Sequence, residues 1–137
     1  MLHISSLLFV TNCLHAAALS HYYFLFLFSI LTITSFVWHA RIFESEIFWW
    51  IDHVAVYTTV LSCIYYSSVM HSGLRFACLG IAVIIAIIYY RLERNCSLDL
   101  ANEMHVVMHA LAVIALHVIL IGTSPAIPTI ERVSLII

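Results

Sequence analysis

The stretch MHVVMHALAVIALHVILI at residues 104–121 decides the fold. It holds no Asp, Glu, Lys or Arg, and its apolar residues run on without the alternation of a strand. At ~1.5 Å per residue it covers ~27 Å, close to the ~30 Å hydrocarbon core of a bilayer. A continuous apolar run of that length reads as a membrane helix. Before it, residues 93–102 read as the only sizeable polar loop, with Asp99 and Asn102 as capping residues for the helix. After it, Gly122, Pro125 and Pro128 end the helix and begin a tail of mixed character over residues 122–137.

Working back along the chain, the same reading predicts earlier spans at residues 4–19, 22–39, 47–69 and 74–92. The break near Ser20 and His21 is soft, because no Gly or Pro marks it. Residues 41–46 separate the second span from the third, and the turn at residues 70–73 leads into the fourth. Composition agrees. Hydrophobic residues make up 64% of the chain and charged residues 9%, with a mean hydropathy of +1.09. A soluble domain carries about a quarter of its residues as charges. In a bilayer every backbone polar group needs an internal partner, so the spans are helices. The fold class is therefore all-α, a polytopic integral membrane helical bundle of about five helices in one domain.

A formal net charge of -2 provides no basic stripe and excludes nucleic acid as a partner. Cys13, Cys63, Cys78 and Cys96 form no C-x-x-C pair and read as small packing residues. The opening segment lacks a basic n-region, so a cleavable signal peptide is not expected. Trp38, Trp49 and Trp50 gather around the second-to-third loop as an interfacial aromatic belt, and Tyr65, Tyr66, Tyr89 and Tyr90 read as further interface anchors. Arg41, Arg91 and Arg94 on one side outnumber Arg75 and Arg132 on the other. That favours a cytoplasmic or matrix location for the N-terminus and for the side holding Arg41, His39 and His105, with an endomembrane or a mitochondrial inner membrane both open.

Ionisable side chains inside spans are costly and face the bundle interior or a cavity. His39 ends the second span, with Ser35 one turn earlier. Asp52 and His53 lie in the first turns of the third, and His105 and His109 share one face of the fifth. The second span ends where the third begins, and the fourth returns to the side where the fifth starts. Ser35, His39, Asp52, His105 and His109 thus lie at similar depth near one membrane face. Three imidazoles suit tetrahedral zinc with an open fourth position for water. Such a metal lowers the pKa of its water and polarises a carbonyl. In that setting Asp52 accepts or orients the proton and Ser35 hydrogen-bonds a developing oxyanion.

These residues resemble a known group. Ser35 through His39 reads SFVWH, residues 50–56 read WIDHVAV, and His105 through His109 reads HVVMH. The pattern is similar to the CREST superfamily, which includes alkaline ceramidases, progestin and adipoQ receptors and hemolysin III-like proteins. The resemblance covers roughly residues 20–120, and its specific content is five positions. It implies that His39, His105 and His109 bind zinc, that Asp52 serves the metal's water, and that Ser35 supplies a supporting hydrogen bond. The implied activity is hydrolysis of a lipid amide or ester. The family's bundle has seven helices, so this chain would be a shortened form. Two helices would be missing between the Asp helix and the last, an even number that keeps the site residues on a common side.

Two other classes stay open at this point. The second reading is a small structural or accessory subunit of a larger membrane assembly of respiratory type, with an inherited site. It shows no sizeable extramembrane domain, and five helices leave little interior for a lipid. A bis-His haem is the third reading, with His117 as a ligand. There is no C-x-x-C-H, and few Gly sit opposite the histidines. His3, His15, His21 and His71 fall near span ends and read as interfacial or hydrogen-bonded, and His53 points about 100° away from Asp52.

Overall fold

Ser20 and Arg41 adopt left-handed backbones, with φ of 57° and 51°, at the first two reversals of the chain. Neither is Gly, and this is why the first reversal is nearly silent in the sequence. The computed structural model describes residues 2–43, 45–70, 72–95 and 97–124, with side chains at all of these except 2, 3, 92–95, 98 and 99. The described residues form α1 (Leu2–Ser6), α2 (Phe9–Ala18), α3 (Tyr22–His39), α4 (Glu46–Ser67), α5 (Ser72–Asn95) and α6 (Leu98–Thr123). No strand occurs among them, and the fold is all-α.

Four helices, α3 to α6, are long and apolar enough to cross a membrane, which makes this a multi-pass membrane bundle. The segment Ile4–Ala18 is apolar but shorter. It is also broken: Leu7 and Leu8 donate to the carbonyls of Ile4 and Ser5, each at 3.1 Å, so a tighter turn joins α1 to α2. Helices α1, α2 and α4 each pack against both α3 and α6, and α5 packs mainly against α6. The core inside this ring is apolar and aromatic. Phe24 and Phe28 are fully buried and stack at 5.4 Å, and Leu120 is fully buried with them. Tyr66, partly buried near the end of α4, packs at 4.8 Å on Phe24 at the edge of this core.

Three boundaries differ from the sequence reading. The polar loop at residues 93–102 shrinks to a short link, because α5 continues to Asn95 and α6 already starts at Leu98. Arg, Leu and Glu are good helix formers, so the charged end of α5 extends beyond its apolar stretch. The N-cap of α6 is Ser97, whose hydroxyl accepts from Leu100 N at 3.5 Å, in place of Asp99 or Asn102. At the other end α6 runs through Gly122 to Thr123. A Cβ at Gly122 would stand 2.5 Å from Met70 Cε, so Gly is needed for close approach to the α4–α5 turn. Pro125, Pro128 and the rest of the expected tail lie outside the described residues, as do His71 and Cys96.

Several polar side chains within the helices find partners at short range, although Asn12 Oδ1 is buried without one. Thr32, Thr58, Thr59 and Thr123 donate to the carbonyl four residues back, at 2.7–2.8 Å. Asn12 is fully buried, and its amide donates to Val113 O at 3.0 Å, tying α2 to α6. Arg75 does more than reach the interface. It donates to the carbonyls of Ser67, Ser68 and Met70 at 2.8–3.0 Å, and so caps the end of α4. Cys13, Cys63 and Cys78 are free thiols, and Cys78 is buried.

Candidate metal centre

The C-terminal end of α3 and the N-terminal ends of α4 and α6 meet at one end of the bundle. His39 is the last residue of α3, followed by Ala40 as the C-cap and the left-handed Arg41. Ser45 then starts α4 by accepting from Ile47 N at 3.3 Å, with Glu46 in the first turn where the helix dipole favours an anion. This tight return sets the start of α4 beside the end of α3. The i, i+4 spacing on α6 brings His105 and His109 together edge-to-face, with ring centroids 4.8 Å apart.

The rings of His39, His105 and His109 converge. Centroids are 4.8 Å apart for His39 and His105, and 5.2 Å for His39 and His109. One ligand nitrogen from each ring lies within 4.8 Å of the other two, so the three can hold a metal ion. Two imidazoles on tetrahedral zinc, with bonds of about 2.0–2.1 Å, place their nitrogens ~3.3 Å apart. Side-chain rotations could close that difference, and three imidazoles, with no fourth ligand grouped with them among the described residues, match the donor set of an open site. His109 is buried, while His39 and His105 are partly exposed.

Asp52 and Ser35 are both buried beside this cluster. Ser35 donates to Asp52 Oδ1 at 2.7 Å, and the single hydroxyl proton of Thr34 is shared between that oxygen and Leu31 O, each at 3.2 Å. The short Ser35 bond, with the shared Thr34 hydroxyl beside it, orients the carboxyl group. The Ser35 hydroxyl is therefore committed to Asp52, and its supporting hydrogen bond goes to the carboxylate. His53, the residue after Asp52, is not one of the three converging rings but lies close enough to interact electrostatically with His39 and His105. Its ring bonds to Trp49 O at 2.8 Å and lies against the Trp49 indole at 3.9 Å.

The first helix contributes what the sequence reading missed. Ser5 Oγ lies 2.8 Å from His109 Nδ1, and Phe9 packs edge-on against the same ring at 5.4 Å. A signal existed: α1 and α2 run antiparallel to α3, so Ser5 and Ser6 belong at the end of the bundle that carries His39. The placement of the site used only the later crossings and left that short segment out. With Nδ1 of His109 engaged by Ser5, Nε2 remains for a metal. Fixing one imidazole nitrogen so that the other binds is how outer-shell partners orient metal ligands.

A cavity of about 910 Å³ opens over the cluster. Trp38, Arg41, Glu46 and Trp49 line it together with His39 and His105. The tryptophans expected as an interfacial belt thus surround the mouth of the site. A separate pair of histidines joins α2 to α6 deeper in the bundle: His15 on α2 and His117 on α6, the latter ~18 Å from His105 by helix rise. His15 Nδ1 and His117 Nδ1 are 2.8 Å apart, and His117 Nε2 is 3.1 Å from Thr11 Oγ1. Thr11 donates its only proton to Leu8 O, so it accepts from His117, and His15 donates to His117. The pair is closed by its own hydrogen bonds.

Fold and site together define a class: an all-α, multi-pass membrane bundle with a three-histidine cluster that can hold a metal ion. No family model matches the chain, and no curated protein or solved structure matches it.

Proposed function

We propose that this chain is a zinc-dependent hydrolase of lipid amide or ester bonds, a shortened relative of the CREST proteins. The observation that carries the reading is the convergence of His39, His105 and His109 beside a carboxylate to which Ser35 donates. His39, His105 and His109 would hold the metal. Zinc bound there supplies Lewis acidity, which polarises a carbonyl and eases loss of a proton from water.

The chain's own residues supply the proton handling. Ser35 donates to Oδ1 of Asp52, where Thr34 also lies within reach, which leaves Oδ2 to take the proton of the attacking water. The same oxygen returns that proton to the leaving nitrogen or oxygen when the carbonyl–heteroatom bond breaks. The site lies at the end of the spans, so a lipid's polar linkage reaches it from the interface while its chain stays in the bilayer. Arg41 and the tryptophans at the cavity mouth suit the headgroup region.

The test is turnover of N-acyl and ester lipids by Asp52→Asn. Metal content should stay at the wild-type level and turnover should fall at least a hundredfold. Unchanged turnover would remove Asp52 from the chemistry and the hydrolase reading with it.

A second reading, an accessory subunit of a larger membrane assembly, is favoured by one observation. Helix α5 packs mainly against α6 and exposes Phe76, Val83 and Ile87 over its length. Affinity purification from native membranes in mild detergent discriminates the two. Co-migration of the whole population with a larger complex supports the subunit, and a particle of this chain alone with turnover supports the hydrolase.

A further inference from the structure

We propose that the groove between α3 and α4 is an acyl-chain site, and that the site's substrate is a lipid that presents a single chain there. The inference rests on the hydrolase reading and adds the shape of the substrate.

The groove has a volume of about 580 Å³ and is lined from α3 by residues such as Tyr23, Leu27 and Ile30, and from α4 by Ile47, Val54 and Ala55. Its lining is apolar apart from the hydroxyls of Tyr23 and Thr58 at the far end. From Ile47 to Thr58 it runs ~16 Å along α4 by helix rise, about half of a ~30 Å hydrocarbon core. That is the depth of one leaflet.

Trp50 connects the groove to the metal centre. It lines both this groove and the cavity that contains His39 and His105. A chain lying in the groove therefore brings its carbonyl end past Trp50 to the histidines. The floor is made by a small residue, Ala55, which is buried, while Val54 on the rim is exposed. At the far end Tyr23 Oη and Ser62 Oγ are 2.7 Å apart and bridge α3 to α4. The groove is thus open beside the site and crossed by a polar tie at its deep end. One slot of one-leaflet depth accommodates one chain. Binding energy from that remote chain would hold the linkage in register with the reacting groups.

The experiment uses the full chain in phosphatidylcholine nanodiscs with a long-chain N-acylethanolamine that carries a diazirine at mid-chain. After photolysis, adducts should map to Tyr22–His39 and Glu46–Ser67 peptides, and excess unlabelled N-acylethanolamine should compete them away. Ala55→Leu fills the floor and Val54→Trp crowds the rim from an exposed position, so at least one variant folds. Each should cut the adduct at least fivefold with zinc content unchanged. Phosphatidylcholine bearing the same diazirine reports bulk bilayer contact and should label α5 as heavily as the groove. Labelling by the N-acylethanolamine that spreads to α5, resists competition or ignores both variants overturns the proposal. Absence of zinc with saturable groove labelling would sink the hydrolase reading and leave the groove standing, so the two failures are distinct.

Discussion

Ser5 and His109 are 104 positions apart in sequence, yet Ser5 Oγ lies 2.8 Å from His109 Nδ1 and both side chains are buried. The first turn of the chain thereby sets the orientation of a ring on the last described helix. Removing an outer-shell partner of this kind costs about 10–100-fold in metal affinity. Ser5→Ala should therefore weaken zinc binding by that factor in a chelator competition, and Ser5→Thr should restore most of it. Equal affinities for all three proteins would show that Ser5 has no role in positioning the ligand.

The paired hydroxyls on Asp52 predict a graded loss. A hydrogen bond to a charged group contributes about 1.5–3 kcal/mol. Ser35→Ala removes the shorter bond and leaves Thr34, so turnover should fall roughly tenfold with metal retained. Ser35→Ala/Thr34→Val removes both, and kcat should fall further than the single change. A double variant no slower than Ser35→Ala would mean that Thr34 does not support the carboxylate.

Gly122 predicts an effect on stability alone. Its place is filled on one side by Met70 Cε, 2.5 Å from where a Cβ would stand, and by Leu74 Cδ1 at 3.2 Å. Gly122→Val should destabilise the bundle by about 1–3 kcal/mol through overpacking. Met70→Ala in the same protein should recover part of the loss, as read by reversible unfolding in mixed micelles. Additive losses would place the strain elsewhere.

Arg75 holds three carbonyls at the end of α4 with one guanidinium. Arg75→Met should lower stability by about 1–3 kcal/mol, because those carbonyls lose their partner. Arg75→Lys should not rescue it, since an ammonium lacks the planar fork that spans several acceptors. Full rescue by Lys would reduce the role of Arg75 to its charge.

The bundle was legible in the sequence wherever apolar runs were long and broken by charge. The helix at Tyr22–His39 has the bounds that its composition predicts, and α4 lies within two residues of them. The reversal at Ser20 was faint because a left-handed serine, and no Gly or Pro, makes it. The α5–α6 link was overestimated because charged residues mark the end of the apolar stretch and not the end of the helix. At the site, counting crossings brought His39, Asp52, His105, His109 and Ser35 together without any coordinates. It did not find Ser5, because a short segment interrupted at Leu7 and Leu8 carries a weak span signal. The target of the Ser35 hydroxyl was also beyond the sequence, since rotamers decide whether it meets a carboxylate or a substrate.

Elemental analysis of the purified protein tests the metal centre most directly, with wild type measured beside His105→Ala/His109→Ala. Close to one zinc per chain, lost in the double variant while the helical circular dichroism is retained, is the result expected. A folded wild type that binds no zinc, even after dialysis against it, would contradict the metal centre and leave the three histidines as a hydrogen-bonding cluster.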